Sequence, residues 1–202
     1  TACIHAPKVN PDCDVYLKTE NLQVTGSFKV RGAYYKISQL SDEEKSHGVI
    51  ACSAGNHAQG VAYAAKIYGV PATIVMPTTT PLIKVNRTKS YGAEVVLYGN
   101  VYDEACQYAL KLAKEKGLTF VHPFNDETVA TGQGTIAMEI FKELPTVDII
   151  LVPIGGGGLA AGVSTLAKLL NPNIKVIGVE PAGASCMKAS LEKGEVVTFA
   201  FL

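Results

Sequence analysis

Asp148-Ile149-Ile150-Leu151-Val152-Pro153-Ile154-Gly155-Gly156-Gly157-Gly158-Leu159 is the stretch whose reading decides the fold class. Its first half is a short, nearly unbroken run of branched apolar residues, the pattern of a parallel strand covered on both faces. Four glycines then expose main-chain N–H groups with no Cβ in the way, and an apolar helical periodicity follows over 158–170. A strand feeding a helix through a tight turn is one arm of a βαβ unit. The same alternation continues on either side. Strands are expected at 15–18, 49–53, 72–76, 94–98, 119–122, 148–154 and 175–180. Helices are expected near 28–40, 56–68, 81–91, 102–116, 128–143, 158–170 and 183–193. This order predicts an α/β protein with open, parallel-type αβα sheets. Seven strands fit one sheet or divide into two, with about 48–125 as a compact unit of its own.

Composition narrows the function classes. The 202 residues carry 18 Lys plus Arg against 18 Asp plus Glu, with 48% apolar and 18% charged residues. No long basic run is present, so neither nucleic acid nor an anionic membrane is an expected partner. The apolar content excludes disorder. A folded chain of this mass should expose about 9,100 Å². The low charge suggests that part of that surface is covered by a copy of the chain, a partner or a further segment. Five cysteines without CxxC spacing argue against zinc and against a disulfide framework, and fit a reducing compartment. The longest apolar stretch, 149–163, is broken by Pro153 and glycines and is too short to span a bilayer. The N-terminus lacks the basic-then-apolar pattern of a secretory leader, so the expected location is cytoplasmic.

Three junctions carry the chemistry, because ligands in such folds sit beyond the carboxyl ends of the strands. In Thr25-Gly26-Ser27-Phe28-Lys29-Val30-Arg31-Gly32 a helix opens with Thr25 or Ser27 as cap and Lys29 in its first turn. The helix dipole disfavours a cation there. Either Lys29 is solvated with its stem on apolar surface, or the local field favours the neutral amine that an imine-forming lysine needs. In Cys52-Ser53-Ala54-Gly55-Asn56-His57-Ala58-Gln59-Gly60 a strand ends and a helix begins. This is either an ordinary turn, with Gly55 at the bend and Asn56 as cap, or an anion site built from N–H groups, a hydroxyl and an amide. His57 alone reads more readily as a packed or capping histidine than as a catalyst. At the third junction Gly155, Gly156, Gly157 and Gly158 suit a phosphate. Gly155-x-Gly157-x-x-Ala160 also fits a dinucleotide fingerprint, with Glu180 where a ribose-binding acid would lie. That alternative comes late in the chain and leaves the other two junctions idle. A phosphate cup, a lysine at a helix start and an Asn/Ser loop together describe pyridoxal phosphate.

At these residues the sequence resembles the threonine dehydratases (threonine ammonia-lyases), which with the serine racemases belong to the tryptophan-synthase-β-like, fold-type-II pyridoxal-phosphate enzymes. Val75-Met76-Pro77, Gly92-Ala93-Glu94-Val95 and Ala130-Thr131-Gly132-Gln133-Gly134-Thr135 read like the same family. The resemblance implies that Lys29 holds the cofactor covalently and then moves the substrate's α-proton, with Phe28 packed beside it. It implies that Asn56 bonds the ring hydroxyl. Gly155, Gly156, Gly157, Gly158 and Leu159 would bind the phosphate, and Ser53, Ala54, Asn56 and His57 would receive the substrate carboxylate. It implies two domains: a large one from 1–47 and 126–202, C-terminally incomplete relative to the family, and a small one of 48–125. The implied reaction is α,β-elimination from L-threonine, and from L-serine, to a 2-oxo acid and ammonia, in isoleucine biosynthesis or threonine catabolism. The implied full-length enzyme is a homo-oligomer, dimer or tetramer. Serine racemases carry a second serine where this chain has Ala54, which favours elimination over racemisation. Family members are longer and continue with a partner for the pyridine nitrogen, a cation site in some, and much of the dimer interface. A serine racemase or serine dehydratase, or a truncated non-catalytic form, are the alternatives.

Overall fold

The computed structural model describes residues 1–198. Its centre is a four-stranded parallel sheet of β3 (Val49–Cys52), β4 (Ala72–Met76), β5 (Glu94–Leu97) and β6 (Thr119–Phe120), in the order β5-β4-β3-β6. β3 is buried along its whole length, and its side chains alternate between two cores. Val49 and Ala51 point into one core, with Ala58, Val61 and Ala65 of α3 (Asn56–Tyr68) and Ala33 and Ile37 of α1 (Lys29–Ser38). Ile50 and Cys52 point into the other, with Ala105, Ala109 and Leu112 of α5 (Tyr102–Lys116). The period of two along a strand thus places helices on both faces. α4 (Leu82–Ser90) packs on α3, and α3 and α5 end on glycines in the left-handed conformation.

A second parallel pair, β7 (Ile149–Pro153) with β8 (Lys175–Val179), packs against α6 (Glu127–Glu143) and α7 (Gly158–Leu170). Here the expectation of a strand covered on both faces fails. Ile150 and Val152 are buried against Ile136, Ala137, Val163 and Ala167, but Leu151 is 65% exposed, as are much of Ile149, Ile177 and Val179. The apolar run reports what the strand is built to touch, and residues 1–198 cover only one of its faces. The chain accordingly exposes 11657 Å², well above the expected value. Two short strands, β1 (Cys3–His5) and β2 (Tyr16–Lys18), form an antiparallel ribbon beyond the two parallel sheets. α2 (Asp42–His47) is a six-residue helix with no buried residue, held by a capping box between Ser41 and Glu44. α8 (Cys186–Lys193) closes the described chain. No helix among the described residues is long and apolar enough to cross a membrane.

Helices α1, α6 and α7 meet through glycines. A Cβ on Gly132 would lie 2.7 Å from Gly32 Cα and 2.8 Å from Arg31 O, and one on Gly134 would lie 2.9 Å from Gly162 O. The backbones therefore touch. Gln133, fully buried, turns this closeness to use: its Oε1 accepts from the N–H of Gly32 at 3.1 Å, satisfying one of the open donors in the first turn of α1.

Arg31 ties α1 and α6 to the N-terminal segment. Its guanidinium donates to Glu20 at 2.8 Å and to Glu139 at 2.7 and 2.8 Å, while Lys18 pairs with Glu139 at 2.7 Å. Hydrogen bonding to Arg31 holds the Glu139 carboxyl far below the usual carboxylate range. Arg31→Met should destabilise the protein by about 2–3 kcal/mol, below the usual figure for buried pairs because Glu139 remains part-exposed. Chemical denaturation of the variant against wild type measures this.

Candidate active site

The three junctions converge on one segment, Val121-His122-Pro123-Phe124, just beyond β6; the strand expected over 119–122 ends at Phe120, and no site role was expected here. Lys29 is the first residue of α1, and its Nζ donates to the carbonyl of Pro123 at 2.5 Å. The amine lies 5.4 Å from the ring centroid of Phe28 and 6.0 Å from that of Phe124. Burial lowers the Lys29 pKa. The direction is the one a neutral amine requires, and desolvation is its cause. Neither Thr25 nor Ser27 is the cap of α1: Phe28 holds that position, and Ser27 Oγ accepts from the N–H of Lys29 at 3.3 Å.

The glycine turn reaches the lysine across Phe124. A Cβ on Gly156 would enter the Phe124 ring, and one on Gly158 would lie 2.7 Å from Phe124 O. Gly157 takes φ +86°, a conformation that side chains resist, and α7 starts at Gly158. Gly155 faces open space. Phe28 and Leu159 share the apolar cluster beneath. The structure thus assigns two duties to the glycines: close packing on Phe124 at Gly156 and Gly158, and an unobstructed main chain at Gly155.

The asparagine loop joins from the other side. A Cβ on Gly60 would stand 3.1 Å from the main chain of Lys29, so α3 crosses the start of α1 in direct contact. Ser53 Oγ accepts from the N–H of Gly55 at 3.1 Å. Gly55 is the cap position of α3, and Asn56, exposed, is its first helical residue rather than its cap. No side chain caps this helix. Its first-turn N–H groups therefore remain available to a ligand. A cleft of about 410 Å³ opens beside Gly55 and Asn56, with Gln59, Lys84 and Arg87. A larger cleft, about 490 Å³, runs along Arg31, Tyr34 and Met138, and Lys29 lines neither of the two.

His57 is 3% exposed, and its Nε2 lies 2.8 Å from the carbonyl of Val121. Since a carbonyl only accepts, Nε2 carries the proton, and Nδ1 is buried without a partner. The ring is interior, so this loop can offer a ligand the main chain of His57 rather than its imidazole. Burial pushes the His57 pKa down to about 4. The unfolded chain would take up a proton near pH 6.5 that the folded chain refuses. Stability is therefore full above pH 6.5 and declines as pH falls towards 4, by about 3 kcal/mol. Urea midpoints across that range should show the decline, and His57→Gln should flatten it.

Glu180 does not stand free for a ribose. Its carboxylate accepts from the N–H groups of Met187 and Lys188 at 3.0 and 2.9 Å, capping α8. The dinucleotide reading loses its acid. Among the described residues no group of three His, Cys, Asp or Glu is placed to hold a metal ion. An amine whose charge is disfavoured by burial stands at one end. A glycine turn leading into the start of α7 stands at the other, with no Cβ to fill the space at Gly155. These residues fit an aldehyde-bearing, phosphorylated cofactor.

Comparison with known proteins agrees. The family described as "Pyridoxal-phosphate dependent enzyme" matches residues 1–201. The L-threonine ammonia-lyase of Thermotoga maritima is 57% identical over 181 residues, 90% of this chain and 45% of that protein. The catabolic L-threonine dehydratase TdcB of Staphylococcus aureus is 53% identical, over 89% of this chain and 52% of its own length. The chain therefore spans about half the length of these curated relatives. Among solved structures, the processed threonine deaminase isoform 2 of Solanum lycopersicum superposes with a TM-score of 0.94 at 48% identity, covering 97% of this chain and 55% of that one. Maize serine racemase does so with 0.95 at 36% identity, covering 98% and 61%. Matched over residues 1–201 by the family and over nearly its whole length by these folds, the chain belongs to the pyridoxal-phosphate dependent enzyme family, fold type II, and pyridoxal phosphate is its cofactor.

Proposed function

We propose that this chain carries the cofactor lysine and substrate loop of a threonine ammonia-lyase, which converts L-threonine to 2-oxobutanoate and ammonia and L-serine to pyruvate and ammonia. The observation that carries the reading is the Lys29 amine. It is half-buried between two aromatic rings, with its charge disfavoured, and it faces the glycine turn across Phe124. Lys29 would hold the cofactor, then take the substrate's α-proton on Nζ. Phe28 would pack beside it. Asn56 would bond the ring hydroxyl. Gly155 to Gly158 and Leu159 would hold the phosphate at the start of α7. Ser53, Ala54 and the main chain of Asn56 and His57 would orient the substrate carboxylate at the open start of α3. The bound cofactor supplies an electron sink for the pair left on the α-carbon. The β-hydroxyl leaves as water, and one water is regained when ammonia is released.

Residues 48–125 would act as a small domain closing over this cleft, and the full-length enzyme would be a homo-oligomer. The five free thiols support a reducing, cytoplasmic setting. The racemase reading draws on the likeness to maize serine racemase. Ala54 favours elimination, because a methyl group cannot return a proton to the opposite face of the α-carbon. Steady-state release of 2-oxo acid from L-threonine and L-serine by the full-length enzyme tests the proposal. D-serine formation as fast as ammonia release would overturn it.

A further inference from the structure

His122 stands at the point where the three junctions meet, and the proposed reaction gives it no part. The proline that follows it biases it towards extended backbone. Its Nδ1 then accepts two main-chain donors, Phe124 N–H at 3.2 Å and Asn125 N–H at 2.8 Å. An imidazole can accept at Nδ1 only while that nitrogen is unprotonated, so the ring is neutral with its proton on Nε2. The turn closed in this way fixes two groups of opposite use. The carbonyl of Pro123 faces the Lys29 amine, and the Phe124 ring, 4.7 Å from the imidazole and edge-on to it, is the surface on which Gly156 and Gly158 pack.

We propose that His122 is the positioning residue of the cofactor site: through Nδ1 it holds the turn that sets Lys29 at one end and the glycine turn at the other. The inference rests on Lys29 being the cofactor lysine. Protonating Nδ1 would turn an acceptor into a donor facing two donors, and the turn would open. Three titratable groups face the ring. Lys29 on α1 opposes its protonation, Asp126 at the start of α6 favours it, and His57 on α3 lies close by. Asp126 is itself paired with Lys36 at 2.8 Å. Desolvation outweighs the carboxylate and lowers the His122 pKa. The turn is therefore closed at neutral pH and loosens only on acidification below the ordinary histidine range.

His122→Asn and His122→Ala test this in the full-length protein. An asparagine Oδ1 can accept the same two donors and carries no charge at any pH, as in an Asx turn. Pyridoxal phosphate should bind the Ala variant about tenfold to thirtyfold more weakly at pH 7.5, as two accepted hydrogen bonds are lost. The Asn variant should bind near wild-type strength. On acidification, wild type should lose affinity more steeply than the Asn variant. Without cofactor, the Phe124 and Asn125 amides should exchange slowly at pH 7.5. They should exchange faster below pH 6 in wild type, and the Asn variant should not show this acceleration beyond the intrinsic pH effect. Nitrogen NMR should find His122 Nδ1 unprotonated. Equal acid sensitivity of wild type and the Asn variant, or undiminished binding by the Ala variant, would overturn the inference. Failure of borohydride to label Lys29 in wild type would instead overturn the reading of the lysine, and the amide and NMR measurements would still decide the role of His122 in the turn.

Discussion

Lys29→Ala should leave a folded full-length protein that releases 2-oxo acid about 10³-fold more slowly or worse, since it removes the proposed covalent anchor and proton carrier. Folding should survive because the Lys29 contacts that matter to packing are main-chain ones: the approach of Gly60 and the hydrogen bond to Ser27. Borohydride reduction of the wild-type protein loaded with pyridoxal phosphate should add the cofactor's mass to the peptide containing Lys29 and remove the visible band. The alanine variant should show neither. Lys29→Arg should be no better than alanine, because a guanidinium does not give up its proton. Retained activity in the alanine variant would remove the basis of the proposed function.

The largest structural effect is expected at Gly162. A Cβ there would run into the carbonyl oxygen of Ala130 and stand 2.8 Å from the nitrogen of Gly134, both main-chain atoms within α6. No side chain can swing away, so α6 and α7 would have to part. Gly162→Ala should cost about 3 kcal/mol or more. For a chain of this size that lowers the melting temperature by roughly 6–12 °C. Gly183→Ala, where an added Cβ meets nothing within 4 Å, is the control and should change little. Thermal unfolding of the two variants beside wild type separates crowding from a general intolerance of alanine for glycine.

How much of this was legible in the sequence depended on whether a signal is local. The helices at 56–68, 102–116 and 158–170 coincide with the observed α3, α5 and α7, because each has an apolar periodicity and a glycine at one end. α2 escaped notice because it buries nothing, and periodicity cannot mark a helix without a buried face; the Ser41-Asp42-Glu43-Glu44 capping pattern was the available clue. β1 is three residues in an antiparallel ribbon, too short to alternate visibly. Lys29, the asparagine loop and the glycine turn were readable as motifs. Their meeting place was not, since His122 to Phe124 lies far from all three in sequence, and only the parallel crossovers bring it between them. A histidine before a proline at a strand's carboxyl end was a clue of its own. Of the two readings of Lys29 open in the sequence, the lowered pKa agrees in direction with the neutral amine, yet its cause, burial, is a property of tertiary structure.

The bare side of the β7–β8 pair has a practical consequence. Leu151 and its neighbours Ile149, Ile177 and Val179 form a hydrocarbon stripe in contact with water. A formal net charge of zero supplies no long-range repulsion between molecules to offset it. The 202-residue polypeptide on its own should therefore be colloidally fragile. Sulfate and phosphate salts, which raise the cost of wetted hydrocarbon, should precipitate it early, and low salt with mild detergent should keep it dispersed.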